Sequence, residues 1–570
     1  MNPAPAETLP ERFKPRLLRE PSLQITPLGG LGEIGMNMMV YRWDNDAIVV
    51  DCGGLLPDPS LLGIDLVLPD YAYLHPHRDK IRALILTHGH EDHIGGTPYF
   101  LRDFKIPVYG TRFTIELVKS KIEEHPHLAD IDYHVIEPDD AIVIGPFHVT
   151  FLHVNHSISQ TVSLAIDTPE GLVVHTGDFR IDSTPTDGRV FDYEGFAQVG
   201  RRGVLALLSD STNVDRPGYS QSEKDVAREL DALIHRARGR VLVSLFASSI
   251  PRIQEVVNVA KRYGRKVHVA GNRLVAATQI ARGLGLLRID PSMLIDVDQV
   301  EMLPPEKVMV IMTGSQGEPR SVLSRVALDD HKQIRVREGD VVIFSARVIP
   351  GHERTINNLI NHLSLRGAEV YFERTHKVHT SGHGHAGELA TMLNLVRPHY
   401  FIPIHGEYYH LIKHGRLAVD CGVPPERVLI AHNGDTVQFA DGQGALVGRT
   451  PVGRVYVDGR GVGDVSPEEI RERRKIAETG LVLVLLVIRQ ATGEILYGPE
   501  LMSRGFVFEQ VSKELMEDAK KAVLTSLESF SIEMIANLEE VKEEVRTTLR
   551  RFFNRALNRK PVVIPVVMEM

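Results

Sequence analysis

The chain is predicted to be an α/β protein of several domains, and three observations predict it. Short β-rich runs separated by turn residues fill the stretch from Leu23 to Val190. From about Ser220 to His352, helical and strand patterns alternate, as βαβ units around a parallel sheet require. A last α/β unit of about a hundred residues follows a stretch rich in Gly, Asp and Val at 441–465. At roughly 100–200 residues per domain, the 570 residues suggest about three domains.

The first region holds strand patterns at Met38–Tyr41, Ala47–Val50, Ala83–Leu86, Ile142–Phe151, Thr161–Ile166, Leu172–His175 and Val204–Ser209. Helices are expected at Ser222–Ala237 and Ile250–Tyr263, with strands at Val241–Leu245, Lys266–Ala270, Val308–Met312 and Asp340–Phe344. Helix and strand then alternate again through Glu353–Leu365, Glu369–Phe372, Gly387–Val396 and Tyr400–Pro403. Short strands are expected at Val428–Ala431 and Asp435–Phe439. The final unit has a buried apolar strand at Leu481–Ile488, charged helices within about 509–557, and a strand at Val562–Met568. The resulting boundaries are a loose tail at 1–20, a first domain at 21–215 that resumes at 353–445, an inserted domain at 216–352, a linker at 446–465, and a C-terminal domain at 466–570.

Hydrophobic residues make up 43% of the chain and charged residues 24%, enough apolar material for large cores. The net charge of −9 excludes nucleic-acid binding by bulk attraction, so a polyanion site must be local. Two cysteines, Cys52 and Cys421, exclude a disulfide framework and suggest a reducing, cytoplasmic setting. The first twenty residues are Pro-rich and charged, without the apolar core of a signal peptide. The longest apolar run, Leu481–Ile488, is too short to span a bilayer, so no membrane association is expected.

The strongest local signal is Thr87-His88-Gly89-His90-Glu91-Asp92-His93, just past a buried strand. Four potential ligands within six residues on a strand-to-loop turn can surround a pair of cations. The imidazoles suit zinc or manganese, and the carboxylate suits a harder ion. His153-Val154-Asn155-His156 and Thr176-Gly177-Asp178 each place a further ligand type just past a strand end. Gly30-Leu31-Gly32-Glu33-Ile34-Gly35 satisfies the dinucleotide fingerprint. The residues after it read as a strand, so no helix N-terminus follows to bind phosphate, and a tight turn beneath the metal site is expected instead.

These motifs resemble the metallo-β-lactamase superfamily. The resemblance implies a four-layer αββα sandwich with its site at the sheet edges. It also implies that His88, His90 and His156 hold one metal, that Asp92, His93 and a later histidine hold the other, that Asp178 bridges them, and that Asp51 orients ligands from behind. Pro403-Ile404-His405-Gly406 looks like the last ligand, 227 positions after Asp178. An insertion of that size resembles the β-CASP group, whose members cut nucleic acid. Ser209-Asp210-Ser211-Thr212 resembles that group's first motif, with Asp210 its acid. His379-Thr380-Ser381-Gly382-His383 resembles the second, with His383 its histidine. In extended backbone His379, Ser381 and His383 project to one side, where they could donate to phosphate oxygens. The stretches Leu28–Asn37, Thr313–Pro319 and Pro561–Glu569 are similar to the bacterial ribonuclease J family, and the likeness covers nearly the whole chain.

That family implies a two-metal ribonuclease with 5′→3′ exonuclease and endonuclease action on single-stranded RNA. It implies a preference for 5′-monophosphate ends, and roles in rRNA processing and mRNA decay. Two Zn²⁺ and/or Mn²⁺ ions, with Mg²⁺ assisting, would lower the pKa of a shared water for in-line attack on phosphorus. His383 is the candidate to stabilise the developing charge or help the leaving oxygen. Either Asp178 or Asp92 could accept the water's proton. Candidates for a 5′-phosphate pocket are Gly314, Ser315, Ser345, Arg347, His379, Ser381 and His383. The resemblance further implies a homodimer or tetramer joined through the C-terminal domain, and an RNA-degradation complex as partner. A small-molecule hydrolase, a DNA-processing nuclease and a noncatalytic RNA-binding protein are the competing readings. The insertion, the ribonuclease J-like tail and the intact ligand set speak against them in turn.

Overall fold

The computed structural model describes residues 20–570 apart from 59, 126–127, 129, 350–351, 460, 490–491, 493, 507–512 and 536. The expected tail at 1–20 lies, up to residue 19, outside the described residues. The chain divides into two compact units, residues 1–55 with 68–454, and residues 56–67 with 455–570.

The first unit is built on two facing sheets. One has eight strands, in the order Gln443–Arg449, Asp435–Ala440, Leu23–Gly29, Met38–Trp43, Asp46–Val50, Ile81–Ile85, Val108–Thr111 and Tyr133–Ile136. The other has six, in the order Tyr400–Ile404, Val204–Asp210, Gly171–His175, Val162–Thr168, Phe147–His153 and Ala141–Ile144. Strand alternation divides the apolar side chains into three layers. Ile25, Tyr41, Ile48 and Ile85 meet Phe151, Leu164, Val173 and Leu208 between the sheets. Val40, Val49 and Leu84 turn outward onto Phe100, Ile115 and Val118 of the helices covering the first sheet. Leu152, Val174 and Leu207 turn outward onto Phe196, Leu389 and Leu393. This is the expected αββα sandwich.

A five-stranded sheet is inserted, in the order Lys266–Ala270, Val308–Met312, Val241–Ser244, Val341–Phe344 and Glu369–Tyr371, with every pair parallel. Both of its faces are buried under helices, so its strands read as continuous apolar runs. The last strand corrects the 352/353 boundary. Glu369–Tyr371 pairs with Val341–Phe344, and the helix Glu353–Leu365 packs on this sheet through Ile356, Leu359 and Leu363.

Three more expectations change. Ile142–Phe151 is not one strand but a hairpin, because Gly145, at φ +54°, reverses the chain between Ala141–Ile144 and Phe147–His153. Val428–Ala431 forms only a single bridge, Phe401 to Val428. The Gly-rich stretch expected to be a linker carries strands at Gln443–Arg449, Arg454–Asp458 and Gly461–Val462. Glycines at these turns supply left-handed backbone between strands, and composition alone does not separate that use from a loose connection.

The second unit pairs Leu481–Ile488 with Ile495–Arg504 and with Val562–Glu569. Its inner face packs on the helices Lys513–Glu528 and Leu538–Leu557 through Val523, Val545, Leu549 and Phe553. Cys52 and Cys421 are both free thiols. Among the described residues, no helix is long and apolar enough to cross a membrane.

Candidate metal centre

The site lies where strands of both facing sheets end. Asp51 follows Asp46–Val50, His88 to His93 follow Ile81–Ile85, His156 follows Phe147–His153, and Asp178 follows Gly171–His175. Asp210 ends Val204–Asp210, and His405 follows Tyr400–Ile404. Asp51 and His405 both have left-handed backbone, at φ +60° and +53°. Such strain in residues with a Cβ persists where surrounding structure fixes it, and it re-aims these side chains at the ends of their strands.

His88, His90, His156 and Asp178 form one convergent group of donor atoms. Asp92, His93, Asp178 and His405 form a second, and Asp178, Asp210, His383 and His405 a third. Asp178 belongs to all three. Its Oδ2 lies 3.7 Å from His88, 3.7 Å from His156 and 3.2 Å from His93, and its Oδ1 lies 3.7 Å from His405.

Ring hydrogen bonds set which nitrogen each histidine offers. Thr87 Oγ1 donates to Asp51 Oδ2, so its lone pair accepts from His88 Nδ1–H at 3.1 Å. His93 Nδ1–H donates to Asp51 Oδ2 at 2.7 Å. His156 Nδ1–H donates to the carbonyl of Gly382 at 2.7 Å. Thr212 Oγ1 donates to Asp210 Oδ1 and accepts from His405 Nδ1–H at 2.6 Å. In His88 and His156, which burial keeps neutral, a proton on Nδ1 leaves the lone pair on Nε2.

The residues present fit a divalent cation. His88 Nε2 and His156 Nε2, both lone-pair atoms, approach His90 Nδ1 to 3.1 Å and 3.0 Å. At most one of the two can accept a hydrogen bond from that nitrogen, so a bare arrangement leaves lone pairs facing one another. Nitrogens bound to one ion at about 2.05 Å in a tetrahedral shell stand about 3.3 Å apart, close to what is seen. Asp178 Oδ1 is buried without a hydrogen-bond partner, a costly state that a bound cation relieves. Burial pushes the His90 imidazole down to about 4 and holds His88 and His156 well below the ordinary range, which keeps all three neutral and able to ligate.

His383 is differently placed. Its Nδ1–H donates to Asp210 Oδ2 at 2.8 Å, and its Nε2 lies 3.9 Å from Asp178. Burial works to lower this imidazole, but the carboxylates of Asp210 and Asp178 outweigh burial and raise it. The loop that carries it passes close to His156. A Cβ at Gly382 would stand 2.6 Å from the His156 ring, so only glycine allows this approach.

The expected phosphate residues divide. Arg347 Nη1 donates to Asn213 Oδ1, and Asn213 Nδ2 donates to Ser381 Oγ and to the carbonyl of His383. The amide of His383 also donates to Ser381 Oγ, so both hydroxyl lone pairs are used and its O–H remains as a donor. His379 Nδ1 accepts from Arg252 Nη1 at 2.7 Å. Ser315 and Arg347 line a cavity of about 180 Å³ with Phe344, Asn357, Phe372 and Arg374. Gly314 makes a tight turn at φ +115°, where a Cβ would meet Ser321. Ser345 departs from expectation. Its amide donates to Ser244 and its hydroxyl donates to the carbonyl of Val378, so it has no donor left for a ligand.

Sequence reasoning missed Thr212, Asn213, Arg252 and the Gly382 carbonyl. Thr212 closes the Asp210 motif and Asn213 directly follows it, and that adjacency was the available signal. Arg252 lies on the helix Ile250–Arg262 and carries none. The glycine fingerprint is a turn, as expected. Met38–Trp43 follows it as a strand, and Gly32 N–H donates to the carbonyl of Gly406 beside His405.

Comparison with known proteins decides the family. Residues 31–232 match the metallo-β-lactamase superfamily, 238–363 the ribonuclease J β-CASP domain, 367–428 the Zn-dependent metallo-hydrolase RNA specificity domain, and 468–570 the ribonuclease J C-terminal domain. The chain is 41% identical to ribonuclease J of Thermus thermophilus, over 96% of this chain and 95% of that protein. The chain belongs to the ribonuclease J family. It is 37% identical to ribonuclease J2 of Bacillus subtilis, over 96% of this chain and 99% of the relative. It is 36% identical to ribonuclease J 1 of Streptococcus pyogenes, over 97% and 98%. A solved protein of unknown function from Enterococcus faecalis shares the fold, with a TM-score of 0.52 and 15% identity over 73% of this chain and all of that one. As a ribonuclease J family member, the chain is a hydrolytic ribonuclease with a site suited to divalent metal.

Proposed function

We propose that this ribonuclease holds two divalent cations and degrades single-stranded RNA from its 5′-monophosphate end, with endonuclease action as a second mode. The observation that carries the reading is the convergence of imidazole nitrogens around Asp178, with the His88, His90 and His156 rings held neutral by burial. His88, His90 and His156 would hold one cation and Asp92, His93 and His405 the other, with Asp178 common to both groups. Zinc and manganese both suit this mixed set of nitrogen and oxygen donors. When bound, the pair supplies an acidified water and positive charge for the phosphate oxygens.

The chain's own groups do the rest. Asp51 fixes the His93 ring and, through Thr87, the His88 ring. His383, whose cationic form Asp210 favours, donates from Nε2 to a phosphate oxygen or to the leaving oxygen. Asp178 and Asp92 are the carboxylates able to take the water's proton. Ser381 Oγ–H, His379 Nε2–H and Arg347, with the Gly314-Ser315 turn, receive the 5′-phosphate. All three side chains present donors only, which matches an all-acceptor group. The C-terminal unit joins two copies of the chain, and the enzyme acts in cytoplasmic RNA maturation and mRNA decay.

The test uses one RNA sequence with a 5′-monophosphate or a 5′-hydroxyl, the matching DNA, and a lactone, each with and without chelator. The reading expects chelator-sensitive release of mononucleotides, fastest from the monophosphorylated RNA. Equal rates on both RNA ends would remove the 5′-phosphate pocket, and turnover of the lactone alone would remove the nuclease. Light scattering after deletion of 466–570 should give a lower oligomeric mass. An unchanged mass would remove the joining role of that unit.

A further inference from the structure

A buried chain of charges runs from the metal-bridging loop into the inserted domain and ends on His379. Arg180, two residues after Asp178, donates to Asp182 Oδ2 at 2.9 Å. The same carboxylate oxygen accepts the backbone N–H of Glu223, the first residue of the helix Glu223–Arg236. Glu223 grips Arg252 with both oxygens, Oε1 to Nη2 at 2.7 Å and Oε2 to Nε at 3.3 Å. Arg252, 2% exposed, also donates to the carbonyls of Ser345 and Thr380. Its remaining contact is Nη1 to His379 Nδ1, at 2.7 Å.

A guanidinium can only donate, so Nδ1 of His379 must be its lone-pair nitrogen. The single ring proton then sits on Nε2, which has no hydrogen-bond partner among the described residues. A second proton on Nδ1 would break the 2.7 Å bond and set two cations in contact. Burial, together with the positive charges of Arg252, Arg347, Arg180 and Arg216, holds this imidazole well below its ordinary range. Among these arginines, Arg252 is paired with Glu223, Arg180 with Asp182 and, at 3.5 Å, with Glu223 Oε1, while Glu373 and Asp215 face Arg347.

We propose that Glu223 and Arg252 are a positioning pair that fixes His379 in one neutral tautomer, as an Nε2–H donor to the 5′-terminal phosphate of RNA. The proposal rests on the 5′-phosphate reading above and adds what sets its geometry. Asp182 ties the pair to the loop after Asp178, so the same chain of contacts holds the phosphate donor in register with the metal centre.

The test compares kcat/KM for 5′-monophosphorylated and 5′-hydroxyl RNA of one sequence, from about pH 6 to about pH 8, across the ordinary imidazole range. Dividing each variant's ratio by that of the wild type cancels titration of the phosphate itself. In Arg252→Met, the ratio should fall about tenfold at the alkaline end, the cost of a misaligned bond to a charged group. It should recover toward the acidic end, where the released imidazole can charge and attract phosphate. Arg252→Lys keeps the cation and one donor, and should retain most of the ratio. Should Arg252→Met fail to accumulate as folded protein, Arg252→Lys decides against Glu223→Gln, which should lower the ratio more. Equal slowing on both RNAs at every pH, or a wild-type ratio in Arg252→Met, would overturn the positioning role. A wild-type ratio in His379→Ala would instead overturn the 5′-phosphate reading of His379 itself.

Discussion

On one side of Asp178 stand three imidazoles, His88, His90 and His156, and on the other stand two imidazoles and a carboxylate, His93, His405 and Asp92. The partners behind them differ as well. The neutral Gly382 carbonyl holds His156, and the Thr87 hydroxyl, itself a donor to Asp51, holds His88. Carboxylates stand nearer the other pair, Asp51 bonded directly to His93 at 2.7 Å and Asp210 Oδ1 3.5 Å from His405 Nδ1. The electrostatics follow. Burial keeps the first three rings neutral, whereas around His405 burial is outweighed by Asp178, Asp210 and Asp92, which push it up to about 10. On the proposed two-cation reading, the all-imidazole side would suit an ion that favours nitrogen. The acid-rich side has more negative charge to neutralise and suits a harder ion.

The largest test of that contrast removes what the two sides share. Asp178→Ala should cost at least about a thousandfold in RNA cleavage and lower metal content on both sides, since the bridging carboxylate serves both ions. Wild-type metal content in that variant would mean the sides are independent. His383→Ala should cost about a hundred- to a thousandfold in turnover while both metals stay bound, because His383 contributes a donor to the reaction. Metal loss equal to that of Asp178→Ala would make His383 a ligand instead.

Smaller changes sharpen the contrast. Asp51→Ala should weaken metal binding about ten- to a hundredfold, as loss of a ligand's supporting partner does. The loss should fall mainly on the His93 side, read by titrating the apo-protein with zinc and manganese. A uniform loss for both ions would remove the distinction between the sides. Gly382→Ala should lower stability by about 1–3 kcal/mol, because its Cβ would press on the His156 ring. An unchanged melting temperature would show that the second motif's loop is not packed on His156.

Legibility in the sequence followed the same division between local and distant. His88, His90, Asp92 and His93 are neighbours in the chain, and their spacing on a strand-to-loop turn announces a metal site without any fold. His405 became readable through the likeness to a family, since only folding brings it from 227 positions away to Asp178. The partners that fix the ring tautomers, Thr212 and the Gly382 carbonyl, are ordinary groups given meaning by tertiary contact. Arg252 is similar, a helical arginine whose importance lies in contacts with Glu223 and His379. In the fold, the continuous apolar strands of the inserted sheet were plain. The Ala141–His153 hairpin was not, because a Gly-Pro step between β-rich runs does not state that the chain reverses.

The central claim is tested most directly by anomalous diffraction from crystals of the metal-loaded protein, recorded at the absorption edge of the bound metal. Two peaks are predicted, about 3.5–4 Å apart. One should touch His88, His90 and His156, the other Asp92, His93 and His405, with Asp178 between them. A fully active crystal with no density in that space, or with a single ion that leaves His405 or His88 uncoordinated, would contradict the account.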